Sequence, residues 1–234
     1  MSGTRIGAQK FMQGGRNVLI SFARPEQLDL AQKYSKSYVL DNGAFTTWKL
    51  GLEFDPHKYM NWVVKQKDNQ RLKWALIPDK IDGNEKDNDA LIDLWLKTGV
   101  AVHGVPVWHY HESIDRLLSL CKHFKIVALG SSGDYLNPGT QKWWARTVEV
   151  MNAVCPDGSP MTKLHGLRML DPKIFSHLPL HSADSTNAAQ NGQAKACMLG
   201  LEHTWQGSTV IAWKVESHDS RTHWHGQPQQ LDML

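Results

Sequence analysis

Cysteine is scarce in this 234-residue chain: Cys121, Cys155 and Cys197 stand far apart, and none belongs to a C-x-x-C pair. That spacing argues against a cysteine zinc site and against a disulfide framework, so the expected setting is a reducing, cytoplasmic one. No apolar run approaches the roughly 20 residues that a membrane-crossing helix needs. The first fifteen residues are polar and lack the apolar centre of a signal peptide. The phosphate-cradling fingerprints G-x-G-x-x-G and G-x-x-x-x-G-K are missing as well. So is any strong charge bias: 26 Lys and Arg against 23 Asp and Glu give a net charge of +3, which permits a nucleic-acid partner without demanding one.

What is present suits a folded core. Hydrophobic residues make up 41% of the chain and charged residues 21%, too apolar for wholesale disorder. The expected organisation is one domain over 1–234, with 1–15 and 216–234 as flexible or peripheral extensions, the second carrying His218, His223 and His225. Short apolar runs predict strands at 17–23, 37–40, 72–77, 100–109, 125–129, 164–169, the approach to Asp184, and 209–213. Pro106 predicts a distortion in the fourth of these. Helical patterns lie between them at 25–34, 56–67 with Asp55 as cap, 85–97, 113–123, 138–154 and 188–196, with a short turn at 172–175. Alternating strands and helices predict an α/β fold with parallel pairing, and eight such units in about 200 residues predict a compact (β/α)8 TIM-type barrel. An open doubly wound sheet is the alternative.

Barrel enzymes carry their chemistry at the C-terminal ends of the strands. The groups that fall there are Asp41, Asp79, His109, the loop Gly130-Ser131-Ser132-Gly133, and Asp184. Several carboxylates on one rim suit acid–base or covalent chemistry. Each also has a plain structural reading. Asp184, followed by Ser185-Thr186-Asn187, could cap the next helix. Asp41-Asn42-Gly43 is a turn signal, Asp79 after Pro78 suits a turn, and the glycine-flanked loop suits an ordinary connection.

Taken together, these residues resemble a known family. Asp41-Asn42-Gly43-Ala44-Phe45 is similar to the Asp-Ser-Gly-Gly-Phe motif of the queuine/archaeosine tRNA-guanine transglycosylases. Asp79 is placed like that family's guanine-reading aspartate. Ala128-Leu129-Gly130-Ser131 resembles its Gly-Gly turn, and Leu164-His165-Gly166-Leu167 resembles the strand before the nucleophile strand, so that Asp184 falls at the nucleophile. The likeness spans residues 39–187. It departs from the family in two places: only Cys197 lies where the tRNA enzymes carry a C-x-C-x-x-C…His zinc site, and Ser185 to Gln193 has no arginine where theirs does. The chain is also much shorter. It looks most like the small bacteriophage members that insert 7-deazaguanines such as preQ0 into DNA, an anti-restriction modification.

The resemblance implies base exchange at C1′ by way of a covalent glycosyl-enzyme, with Asp184 as nucleophile and Asp41 moving protons. It implies a guanine-containing DNA and a 7-deazaguanine base as partners, with tRNA as the alternative polymer, no cofactor, no metal and no membrane. Asp79 would accept from guanine N1–H and N2–H, while main-chain N–H groups of Gly130 and Ser131 would bind O6. Asn42, Gly43 and Phe45 would shape the same site. His109 would hold the base edge, and Trp48 or Trp108 would stack on the extruded base. Two rival readings remain open: a metal-dependent barrel hydrolase using His109, His111 and Asp184, and an inactive nucleic-acid-binding barrel.

Overall fold

The structure, a computed structural model, describes residues 2–226. The fold is α/β, and the chain falls into two compact units, Met1–Gly104 with Thr186–Lys214 and Val105–Ser185 with Val215–Leu234. Two four-stranded sheets, both paired in parallel, organise it.

In the first sheet the order is β1 (Asn17–Ser21), β2 (Ser37–Asp41), β3 (Leu72–Leu76), β4 (Gly104–Val105). β1 and β2 pair without interruption from Asn17 opposite Ser37 to Ser21 opposite Asp41. Between β2 and β3 the register shifts, Tyr38 facing Leu72 but Leu40 facing Ala75, so β3 holds one extra residue. Helices cover this sheet: α1 (Ser2–Gln13), α2 (Leu28–Tyr34), α3 (Ala44–Lys49), α4 (Pro56–Val64) and α5 (Glu85–Lys97). The cap at Asp55 is the expected one. Asp55 accepts from Lys58 N–H at the start of α4, and Asn84 with Asp87 forms a capping box on α5. Tyr38, Leu40, Tyr59, Val63, Ala75 and Trp95 are buried in this unit.

The second sheet runs β5 (Val107–His109), β6 (Ile126–Gly130), β7 (Lys163–Gly166), β8 (Ser182–Ala183). Pro106 splits the expected long fourth strand into β4 and β5, yet its carbonyl still accepts from Ala128 N–H at 2.9 Å. The helices here are α6 (Ile114–His123), α7 (Gln141–Val154) and α8 (Pro172–Phe175), capped by Ser113, Thr140 and Asp171. Burial pushes the Cys121 thiol up to about 11 and the Cys155 thiol up to about 12, so neither is a ready nucleophile at neutral pH.

Three expectations are corrected. The eighth strand, expected at 209–213, is part of a helix, α10 (Thr204–Glu216), that follows α9 (Asn187–Met198). Gly192 and Gly207 let these two helices meet backbone to backbone; a Cβ on Gly207 would overlap the Gly192 carbonyl. That packing outweighs the modest helix penalty of Thr209, Val210 and Ile211. The segment 1–15, expected as a flexible or peripheral extension, is largely the helix α1, tied to α2 by an Arg5–Asp29 ion pair. The polar tail beyond α10 is anchored too: Trp224 is buried, its indole N–H donating to Asn152 Oδ1 at 2.7 Å and its main-chain N–H to Gly158 O at 2.7 Å. Residues 227–234 of that expected extension lie outside the described residues. Among the described residues no helix is long and apolar enough to cross a membrane.

Candidate functional site

Within the first unit, β2 delivers Asp41 and β3 leads to Asp79. Asp41 Oδ2 accepts from Gly43 N–H at 3.1 Å, and its carbonyl accepts from Phe22 N–H. The chain does not form a hairpin here. Gly43 takes φ +79° and starts α3, and a Cβ on it would come within 2.8 Å of Ala23 N. Glycine is therefore required twice over, by conformation and by space. Asn42 is buried and fully engaged: its Nδ2 donates to Asp79 Oδ1 at 2.6 Å and to Ile77 O at 2.9 Å, and its Oδ1 accepts from Ala44 N–H at 2.8 Å. This amide fixes the orientation of a carboxylate that is itself 5% exposed. Asp79 thus does more than close a turn. Tyr59 is buried with its hydroxyl donating to Leu76 O; burial, and then the charges of Asp41 and Asp79, hold its pKa well above the ordinary value. Phe45 is half-buried beside Trp48, with ring centroids 5.8 Å apart, and Trp48 keeps an exposed face on α3.

In the second unit the register builds a cluster that the sequence does not announce. In parallel strands, residues level with each other share a face. His165 lies opposite Ser182, and Asp184 follows Ser182 by two residues, on the same side of its chain. As a result His165 Nδ1 is 2.8 Å from Ser182 Oγ, and His165 Nε2 is 3.4 Å from Asp184 Oδ1. Asp184 Oδ1 also accepts from Arg168 N–H at 3.1 Å. Arg168 is the one non-glycine residue with positive φ among the described residues, at 62°, a conformation costing roughly 1 kcal/mol. The turn it makes is held by Leu170 N–H donating to Asp184 O and by Asp184 N–H donating to Gly166 O. No hydrogen bond engages Asp184 Oδ2 among the described residues, and the side chain is 17% exposed. Asp184 does not cap α9: the N-cap position is Thr186, without a side-chain cap bond.

The remaining expected site residues sit in the same unit. His109, at the end of β5, is buried; its N–H donates to Glu112 Oε2 at 2.9 Å, and its ring stacks on His111 at 5.7 Å. Gly130 faces it, and a Cβ there would reach 3.1 Å from His109 Nδ1. Ser131 is anchored by its side chain, which accepts from Trp143 Nε1–H at 2.9 Å, and Ser132 Oγ is 2.7 Å from His111 Nδ1. Trp108 is corrected: it is fully buried with its indole N–H on Ser113 O, so it offers no face to an incoming base. Glu112 and Arg116, not anticipated, form a buried ion pair at 2.6 Å under His109. His109 ends β5 and His111 lies in the turn beyond it rather than on the strand, their rings stacked, and no group of three His, Cys, Asp or Glu side chains that could hold a metal ion is found among the described residues. The His109/His111/Asp184 metal set is therefore not assembled.

No family model matches the chain, and no curated protein matches it. Among solved structures it is similar to a mutant tryptophan synthase alpha subunit from Pyrococcus furiosus, at 10% identity over 88% of this chain and 98% of that one, with a TM-score of 0.45. It is also similar to a chain of the tryptophan synthase α2β2 complex from the same organism, at 11% identity with the same coverages and a TM-score of 0.41.

Proposed function

We propose that this chain is a guanine transglycosylase that exchanges guanine in DNA for a 7-deazaguanine. The observation that carries the reading is Asp184: one oxygen is held by Arg168 N–H and faced by His165, while the other is without a hydrogen bond among the described residues. A carboxylate so held has a single oxygen directed to attack. The compact (β/α)8 barrel without a zinc-binding subdomain belongs to this proposal; the parallel pairing within both sheets supports it, with β4 and β5 being one strand region divided at Pro106 and the eighth expected strand replaced by helix.

The reaction balances without a cofactor. Asp184 Oδ2 forms a bond to C1′ as the C1′–N9 bond breaks, its electron pair leaving with guanine. Asp41, as the carboxylic acid, gives guanine its proton. Asp41, now the carboxylate, takes the N9 proton of the incoming base, whose nitrogen attacks C1′ and returns the C1′–O electron pair to Asp184. Guanine and a 7-deazaguanine share the N1–H and N2–H donor edge, so one acceptor, Asp79 held by Asn42, serves both; adenine lacks that edge. Main-chain N–H groups of Gly130 and Ser131, with His109 beside them, are assigned to O6, and Trp48 is the remaining candidate for stacking on the base.

DNA is preferred over tRNA on two grounds. Ser185 to Gln193 carries no arginine, and a deoxyribosyl cation forms more readily than a ribosyl one, so fewer sugar contacts are required. Incubation with labelled guanine and either genomic DNA or bulk tRNA is expected to label the DNA. Label confined to tRNA would reverse the polymer assignment, and label in neither would remove the transglycosylase reading.

Asp79→Asn is expected to weaken guanine exchange roughly 5- to 150-fold with little change in DNA binding. Its amide oxygen still takes the Asn42 bond, which turns an NH2 toward donors, a mismatch of about 1–3 kcal/mol. A variant with wild-type KM for guanine would return Asp79 to a turn residue.

A further inference from the structure

We infer that His165 is the positioning residue for Asp184, locked in one tautomer by Ser182, and that it governs how long the covalent intermediate lasts; this rests on the transglycosylase reading above. His165 is 3% exposed in its side chain and lies between two partners, Ser182 Oγ at Nδ1 and Asp184 Oδ1 at Nε2. A carboxylate only accepts, so the neutral imidazole presents Nε2–H to Asp184. Nδ1 is then the acceptor, and the Ser182 hydroxyl donates to it. The hydroxyl thus selects the tautomer that puts a donor in front of the nucleophile.

The 3.4 Å separation is long for a settled N–H···O bond, and bonds of this kind in unliganded sites shorten as the reacting complex forms. Arg168 N–H already grips the same oxygen from the other side, through a backbone conformation that few side-chain-bearing residues adopt. Once the His165 N–H closes from 3.4 Å onto Oδ1 in the reacting complex, it joins Arg168 N–H there, and two donors on Oδ1 have opposite effects on the two half-reactions. They make the carboxylate a slightly weaker nucleophile when it attacks C1′ through Oδ2. They make it a better leaving group when the incoming base displaces it. Removing the His165 donor therefore slows release from the enzyme more than capture. The atoms balance as in the parent reaction, since His165 keeps its proton throughout.

The test uses wild type, His165→Ala, His165→Gln and Ser182→Ala with a guanine-containing single-stranded oligodeoxynucleotide and labelled guanine, scoring exchange rate and the fraction of protein trapped as adduct on a denaturing gel. His165→Ala is expected to lose roughly 10- to 100-fold in exchange while its adduct fraction rises. Glutamine, whose amide places a donor near the Nε2 position, is expected to recover most of the loss, and Ser182→Ala to show a smaller version of the alanine defect. A folded His165→Ala with wild-type adduct fraction would overturn the inference, as would a glutamine variant no better than alanine. Labelling of Ser182 by a fluorophosphonate would overturn it differently, by making Ser182 the attacking group. Nitrogen-15 spectra of the imidazole supply a readout independent of activity. The Nε2–H tautomer, lost in Ser182→Ala, is expected, and the Nδ1–H tautomer would overturn the positioning role. If wild type exchanges no guanine while the Nε2–H tautomer is seen, the transglycosylase reading falls and the geometry at Asp184 stands.

Discussion

Asp184→Asn is expected to leave the protein folded and to abolish both base exchange and the covalent adduct, a loss of at least roughly a thousandfold. Asparagine is nearly isosteric. Its Oδ1 still accepts from Arg168 N–H, so the strained turn at Arg168 keeps its support, and it still faces His165 Nε2. What disappears is the negative charge on the attacking oxygen. Asp184→Ala is the less clean variant, because it also removes the acceptor of the Arg168 N–H and should cost about 1 kcal/mol of stability beyond the lost chemistry. The measurement is a denaturing gel of protein with a guanine-containing oligodeoxynucleotide, alongside thermal unfolding. An adduct formed by Asp184→Asn at the wild-type level would take Asp184 out of the nucleophile role.

Glu112→Ala is expected to cost about 3–5 kcal/mol of stability, which for a chain of this size lowers Tm by roughly 6–20 °C. The Glu112 side chain is 1% exposed and that of its partner Arg116 5% exposed. Glu112 Oε2 accepts from both Arg116 Nη1 and His109 N–H, so truncation takes the counter-charge from a buried guanidinium, which keeps Val107 O, and the acceptor from a main-chain donor. Most of the cost is that uncompensated charge rather than the attraction that was lost. Replacing both residues together, Glu112→Leu with Arg116→Met, is therefore expected to recover most of the stability. Calorimetry on the single and double variants checks this. A double variant no more stable than Glu112→Ala would show that the pair stabilises the fold by its own attraction. Because Glu112 also holds the end of β5, the single variant is expected to lose the ordered stacking of His109 on His111.

Much of the architecture was open to a reader of the sequence. Seven of the eight predicted strand regions contain observed strand, and α5 spans the predicted residues 85–97. Local chemistry specified these elements: Asp55, Asn84, Ser113 and Asp171 cap helices because their side chains reach the first free N–H groups, wherever the helix later packs. Pro106 had to interrupt a strand for the same kind of reason. The predicted strand at 209–213 failed although Thr209, Val210, Ile211 and Trp213 are residue types that strands favour, because that preference yields to packing context, and two glycines about fifteen residues apart, 192 and 207, favour a close helix pair only once the chain is folded.

The candidate site divides along the same line. The sequence itself determined which carboxylates end strands, since Asp41 and Asp184 follow short apolar runs, and it determined that Gly43 must turn the chain. Only the tertiary structure decided their partners. Asn42 meets Asp79 from 37 residues away, and His165 meets Ser182 from 17 residues away. Such meetings depend on strand register, and moving a strand by one residue would turn every side chain to the opposite face. Burial was decided there too: Trp108 has the composition of a stacking residue and the position of a core residue. A sequence carries the donors and acceptors one at a time, and the folded sheet sets the distances at which they become a site.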